Sequence, residues 1–275
     1  MSDIRRDQER LFAAFEAMEN RTERLITRNY QGRLINLKHV LGGFFELHEI
    51  DGQLTYDEMS RDGRLQDMSK SLTDATVKLY SENKKVIASA LKTAYNNSFI
   101  GTGEVVRRAW GSQHLIGIIR DDEMNIALNS DISGLKWAER MGLHRDQAAA
   151  RVRATIVRGL HEGESYAQMA NRLNEVMGKD VPNAIGIART ESYRVFSTAK
   201  KHRLDRVQGI DMIKEWLTAK DEDVRSNHKP MHGVKVPYHQ NFVLPNGNEG
   251  FAPGMIGDPK DDINCRCDWV VEMND

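Results

Sequence analysis

The stretch CRCDWVVEM, residues 265–273, decides how the end of this chain is read. Dense in β-branched and aromatic side chains and lying just behind a Gly/Pro-rich run, it predicts a strand. Alternate strand residues share a face, so Cys265, Cys267, Trp269 and Val271 point one way and Arg266, Asp268, Val270 and Glu272 the other. Cys265 and Cys267 are the whole cysteine content of the 275 residues. Such a pair is core filler, a disulfide, a redox pair or half of a metal site. A disulfide fits poorly, because strand residues i and i+2 stand about 6.6 Å apart with parallel Cβ vectors. Parallel vectors suit shared ligation of one ion. Upstream, RSNHKPMHG (225–233) offers His228 and His232, with His239 as a spare, and two Cys plus two His make a tetrahedral zinc set. The competing reading is two small buried residues packed beside Trp269. A structural zinc contributes on the order of 10 kcal/mol to a small domain. That is enough to pin the loop LPNGNEGFAPGMIGDPKDDIN, 244–264.

Two further strands are expected before that loop, in DMIKEWLTA (211–219) and GVKVPY (233–238). Everything upstream has helical spacing. Residues 10–45 carry Leu11, Phe12, Phe15, Met18, Leu25 and Ile26 at helical intervals, until Gly42-Gly43 is expected to break the pattern. Residues 69–99 carry a core stripe of Leu72, Val77, Leu79, Val86, Ile87 and Leu91. Helical character is expected to continue through WGSQHLIGII (110–119) and through 132–163. Ser165 and Gln168 form a capping box for a helix that Gly178 closes. Another opens with Pro182 in its first turn and runs to Gly209. The fold class is therefore α+β: a long helical N-terminal region, then a C-terminal domain of helices and a small antiparallel sheet.

Lys plus Arg number 39 and Asp plus Glu 40, so no global positive field draws the chain onto nucleic acid. The opening MSDIRRDQERLF lacks the apolar core of a signal peptide, and no run approaches about eighteen apolar residues, so no membrane helix is expected. Two cysteines in a chain this long suggest a reducing compartment. LHEIDGQLTYDEM (47–59) imitates a calcium loop, but its first ligand position would be Leu47. A turn at Asp51-Gly52 followed by Thr55 capping a helix, with Glu58 closing the box, accounts for it.

The order ARTESYR (188–194), EWLTAKDEDVRSNHKPMHG (215–233) and NCRC (264–267) resembles the phage Mu protein F-like head morphogenesis family of minor head, or minor capsid, proteins. The matching positions are Ala188 to Glu191 with Arg189, Trp216, Arg225, His228, Gly233 and Cys265-Arg266-Cys267. The segments 157–173 and 52–72 look like the parts of these proteins that come earlier in the chain. The resemblance implies a non-enzymatic, low-copy component of the virion head, made in the host cytoplasm and placed inside the head near the portal vertex. Its implied partners are the portal protein, a scaffold or major capsid protein, and packaged DNA. Its implied division is a partner-facing helical region, 1–144, and a Mu F-like domain, 145–275. The basic stretch RVFSTAKKHRLDR (194–206), with Lys200, Lys201 and Arg203, is a candidate DNA contact, although its flanking acids also suit a solvated helix face.

Two other readings stay open. Arg189 and Glu191 resemble the arginine and glutamate of ADP-ribosyltransferases, where Arg holds phosphate and a carboxylate stabilises an oxocarbenium-like transition state. No E-x-E or Q-x-E pair follows, and Glu272 is isolated. A zinc-stabilised DNA-binding module is the other. Ser197 and His202 have no spacing that marks a nucleophilic triad.

Overall fold

The computed structural model describes residues 3–131, 134–219 and 221–274. Helices dominate up to residue 204: α1 (Asp3–His48), α2 (Tyr56–Met59), α3 (Arg64–Trp110), α4 (Asp121–Asn129), α5 (Trp137–Glu162), α6 (Tyr166–Gly178) and α7 (Val181–Leu204). Strands follow: β1 (Met212–Leu217), β2 (Lys235–Pro237), β3 (Phe242–Val243), β4 (Glu249–Gly250), then α8 (Pro259–Asp262) and β5 (Asp268–Met273). The α+β class expected from the sequence is the one observed, with the strands of the described residues lying in the C-terminal region and paired antiparallel.

The chain forms two compact units. One contains Thr22–Ile87 and Ala138–Ile185, and is helical. Its core holds Ile26, Leu37, Leu41, Leu54, Leu79, Val152 and Leu173, none of them measurably exposed. Asn29 donates to Asn83 at 2.8 Å, and Arg151 pairs with the buried Asp180. Sequence-level helix signals hold here. Gln168 Oε1 accepts from the Ser165 backbone at 2.8 Å, completing the capping box of α6. Thr55 Oγ1 accepts from the Glu58 backbone at 3.3 Å, after a left-handed Asp51-Gly52 turn, but the Glu58 carboxylate accepts from Arg61 and Arg64 and does not close the expected box.

Gly42-Gly43 does not break α1, which continues to His48; Gly42 lies against the Tyr166 ring, and Phe45 beyond it is buried, so packing overrides propensity. Leu25 and Val77 of the expected core stripes face outward.

The other unit contains residues up to Arg21, Ala88–Trp137 and Gly186 onward. Its main sheet has the order β2-β1-β5, with Trp216 opposite Trp269. The β5 edge is covered by Gln8 of α1, which accepts from the Val271 backbone N–H and donates to its carbonyl, both at 2.9 Å. A side-chain amide thus takes the place of a neighbouring strand. Phe15 packs against Phe196 with tilted rings 4.4 Å apart, and Trp269 Nε1 donates to Ser197 at 3.0 Å.

Residues 110–119 are not helical beyond Trp110 except for a turn at Ser112–His114. Gly111 adopts a φ of 97°, which ends the helix, and residues 116–119, with Gly117 at a φ of 77°, form neither helix nor strand. Likewise α7 stops at Leu204, short of Gly209.

The expected division at 144/145 falls inside α5. The strand at the C-terminus starts at Asp268, after both cysteines. Asn264 adopts a left-handed φ of 56°, and the Cys265 N–H turns back onto the Asp262 carbonyl at 3.2 Å. Cys265 and Cys267 therefore do not continue the face of Trp269. They pack with Trp216, Met231, Phe242 and Leu244, whereas Trp269 and Val271 pack with Val106, Leu204 and Tyr238.

Candidate metal centre

His228 follows an Arg225–His228 turn, with its N–H on the Arg225 carbonyl at 2.9 Å, and leads into a short helical turn, Lys229–Met231. Pro230 within that turn fixes the backbone that points the imidazole inward. The ring meets the edge of Trp216 at 5.2 Å and is 1% exposed. Its Nδ1 lies 3.7 Å from Cys265 Sγ and 3.6 Å from Cys267 Sγ. One donor atom from each of the three residues lies within 4.8 Å of the others, and all three residues are buried. The cysteines are not joined to each other. Their sulfurs share a hydrogen bond that draws Cys267 below the usual thiol range and, with burial, pushes Cys265 well above it. A soft cation would displace the remaining protons and take two thiolates and an imidazole, the donor set of zinc.

The other imidazole nitrogen, Nε2, is buried without a hydrogen bond and lies 3.5 Å from Asp261 Oδ1. Asp261 is held by three amides: Asn227 at 2.6 Å on Oδ1, and Asn248 at 2.8 Å and Asn246 at 3.2 Å on Oδ2. Burial opposes its charge, but the amides of Asn248, Asn227 and Asn246 outweigh this and hold the carboxyl below its ordinary range. A carboxylate behind the far nitrogen of a metal-binding His fixes its tautomer and raises its basicity. Asp262 organises the other half of the loop, accepting from the Ile256 and Gly257 backbones at 3.1 and 2.6 Å. The reading of the sequence missed both aspartates. The available signal was the Asp-Pro helix start at Asp258-Pro259, which brings two successive acids to the end of one turn, downstream of Asn246-Gly247-Asn248.

The motif residues converge on this group. Asn264 N–H donates to Thr190 Oγ1 at 3.0 Å, docking the NCRC turn on the ARTE helix. Arg225 donates to the Ile263 carbonyl. Trp216 forms the wall behind His228. Glu191 is fully buried and accepts from Arg194 at 2.8 and 3.0 Å, while Arg189 is exposed.

His232 does not join the three. It is exposed, and its Nδ1 accepts from the Thr218 backbone at 3.1 Å. His239 is exposed against Tyr238. Among the DNA candidates, Lys200 is buried and donates to the Trp269 carbonyl, so it presents no charge to a phosphate. Lys201 pairs with Asp205 at 2.7 Å, and Arg203 donates to the Gly117 carbonyl at 3.0 Å. Ser197 accepts from Trp269 and His202 contacts Tyr95, so they form no triad with each other.

Fold and site together define a long-helix α+β protein closed by a small sheet around a buried His-Cys-Cys group. Residues 150–270 match the family described as Phage Mu protein F like protein. The minor head protein GP7 of Bacillus phage SPP1 is 25% identical over 98% of this chain and 87% of its own length. The NAD(+)--arginine ADP-ribosyltransferase EFV of Enterococcus faecalis is 27% identical, also over 98% of this chain. The chain spans only 55% of that second relative's length. No solved structure matches. No described helix is long and apolar enough to cross a membrane.

Proposed function

We propose that this chain is a minor head protein of a tailed bacteriophage that binds the portal vertex and acts in procapsid assembly, DNA packaging or ejection. The observation that carries the reading is similarity to a protein named as a minor head protein, over 98% of this chain and 87% of the relative. In this proposal residues 1–144 face the portal, with a scaffold or major capsid protein as a further partner. Residues 145–275 form the family domain, held by one zinc ion at His228, Cys265 and Cys267. Packaged DNA meets the chain through Lys201 and Arg203 at most. Quantitative mass spectrometry of purified particles tests the role. A few to about a dozen copies per portal, and co-purification with portal protein, are expected; absence from particles overturns it.

The second relative favours an alternative, an ADP-ribosylating effector carried in the head. Against it, Glu191 is enclosed in its pair with Arg194. Incubation with labelled NAD decides this. Label transfer that Arg189→Ala abolishes would establish the enzyme reading.

A further inference from the structure

We propose that the zinc at His228, Cys265 and Cys267 takes its fourth ligand from solvent, at a vertex that opens into a cleft beside Arg225 and Arg266 and that a small monodentate anion can enter. The inference rests on the metal reading above and adds the character of the site.

Zinc in proteins is four-coordinate, and its structural sites close with four protein donors, whereas an open position leaves three. Among the described residues the group of mutually close donors ends at three. The nearest further candidates are committed elsewhere. His232 accepts from the Thr218 backbone, on the exposed side of β1. Asp261 stands on the Nε2 side of His228, opposite the nitrogen that faces the sulfurs, and its oxygens are taken by three asparagine amides. Asp223 pairs with Arg266 at 3.3 Å and is largely exposed.

A cavity of about 10 Å³ reaches two of the three ligands; it is lined by Asp223, Val224, Arg225, His228, Asn264, Arg266 and Cys267. That is the space of about one water. It is too small for a second side chain and large enough for one oxygen or nitrogen ligand.

The charge of the cleft sets what can replace the water. Two thiolates neutralise Zn²⁺ and the imidazole adds nothing, so the centre itself neither attracts nor repels an anion. Arg225, Arg266 and Asp223 line the cleft: Arg225 is held by the Ile263 carbonyl, and Arg266 is shared between Asp221 at 2.8 Å and Asp223 at 3.3 Å. An anion entering breaks the zinc–water bond, forms one bond to zinc and releases the water to solvent. No redox change is involved. The helix carrying Thr190 holds the adjacent Asn264 turn, so the vertex is framed by the same residues that make the family motif.

The test uses the full chain loaded with Co²⁺, whose visible d–d bands report coordination, and azide as the probe. One equivalent of cobalt with sulfur-to-cobalt charge transfer is expected. Its d–d bands should shift saturably on adding azide and return on dialysis. Arg266→Gln should weaken azide binding severalfold while leaving cobalt stoichiometry unchanged, a split that loss of folding would not produce. A four-coordinate thiolate spectrum indifferent to azide would overturn the open vertex and leave the metal reading standing. If His232→Ala then altered that spectrum, His232 would be the fourth ligand. Failure to bind cobalt or zinc at all would overturn the metal reading itself.

Discussion

The helical unit of Thr22–Ile87 and Ala138–Ile185 and the C-terminal segment around His228 are ordered by opposite means. The first buries a continuous apolar set, including Ile26, Leu37, Leu41 and Leu79, along helices that repeat the same face every three or four residues. The second has short strands, a loop rich in Gly and Pro, and an interior occupied by His228, Asp261 and Asp262. Buried polar groups are favourable only when each is satisfied, and one missing partner exposes the desolvation cost of the rest. The first region is filled by apolar side chains, while the second brings two sulfurs and one imidazole together in its interior.

The largest effect that would break this contrast is His228→Ala. It should abolish stoichiometric zinc and cost about 4 kcal/mol when metal is present at a thousand times its dissociation constant. Denaturant melts with and without chelator check this, and the two curves of the variant should coincide. Asp261→Asn should leave the three ligands in place but weaken zinc 10–100-fold, or about 1.4–2.8 kcal/mol, measured by competition with a chromophoric chelator.

Lys214 supplies a pH test inside the same C-terminal sheet. Its ammonium is buried over the Phe251 ring with no hydrogen bond, and burial first, then the Lys201 charge, lowers its pKa to about 7. Between about pH 7 and its ordinary value near 10.5, the folded state binds fewer protons there than the unfolded state. Stability should therefore rise with pH across that window, by up to about 1.4 kcal/mol per unit. Lys214→Met should flatten the rise, as read from thermal melts at stepped pH. The smallest effect belongs to the helical unit: Ser165→Ala should remove the capping box at a cost of about 1 kcal/mol, with zinc content unchanged.

Legibility from sequence follows the same divide. Local rules were sufficient where the determinant lies within one turn, as at Ser165 with Gln168 and Thr55 with Glu58. The strands at 212–217 and 235–237 were likewise readable from composition and period. His228, Cys265 and Cys267 were legible as a donor set. His232 was grouped with them by spacing, which does not say which way a ring turns after Pro230; the fold leaves it exposed, accepting from the Thr218 backbone. Lys200 looked solvated by composition, yet its α7 position faces the Trp269 backbone. Asp261 was invisible, since its role comes from Asn227, Asn246 and Asn248, brought together only by the folded loop.

The most direct measurement is hydrogen exchange of the full chain, zinc-loaded against chelated. The account predicts that residues 225–274 exchange faster without metal while 22–87 and 138–185 keep their protection. Unchanged exchange at 225–274, or equal loss of protection across the whole chain, would contradict it.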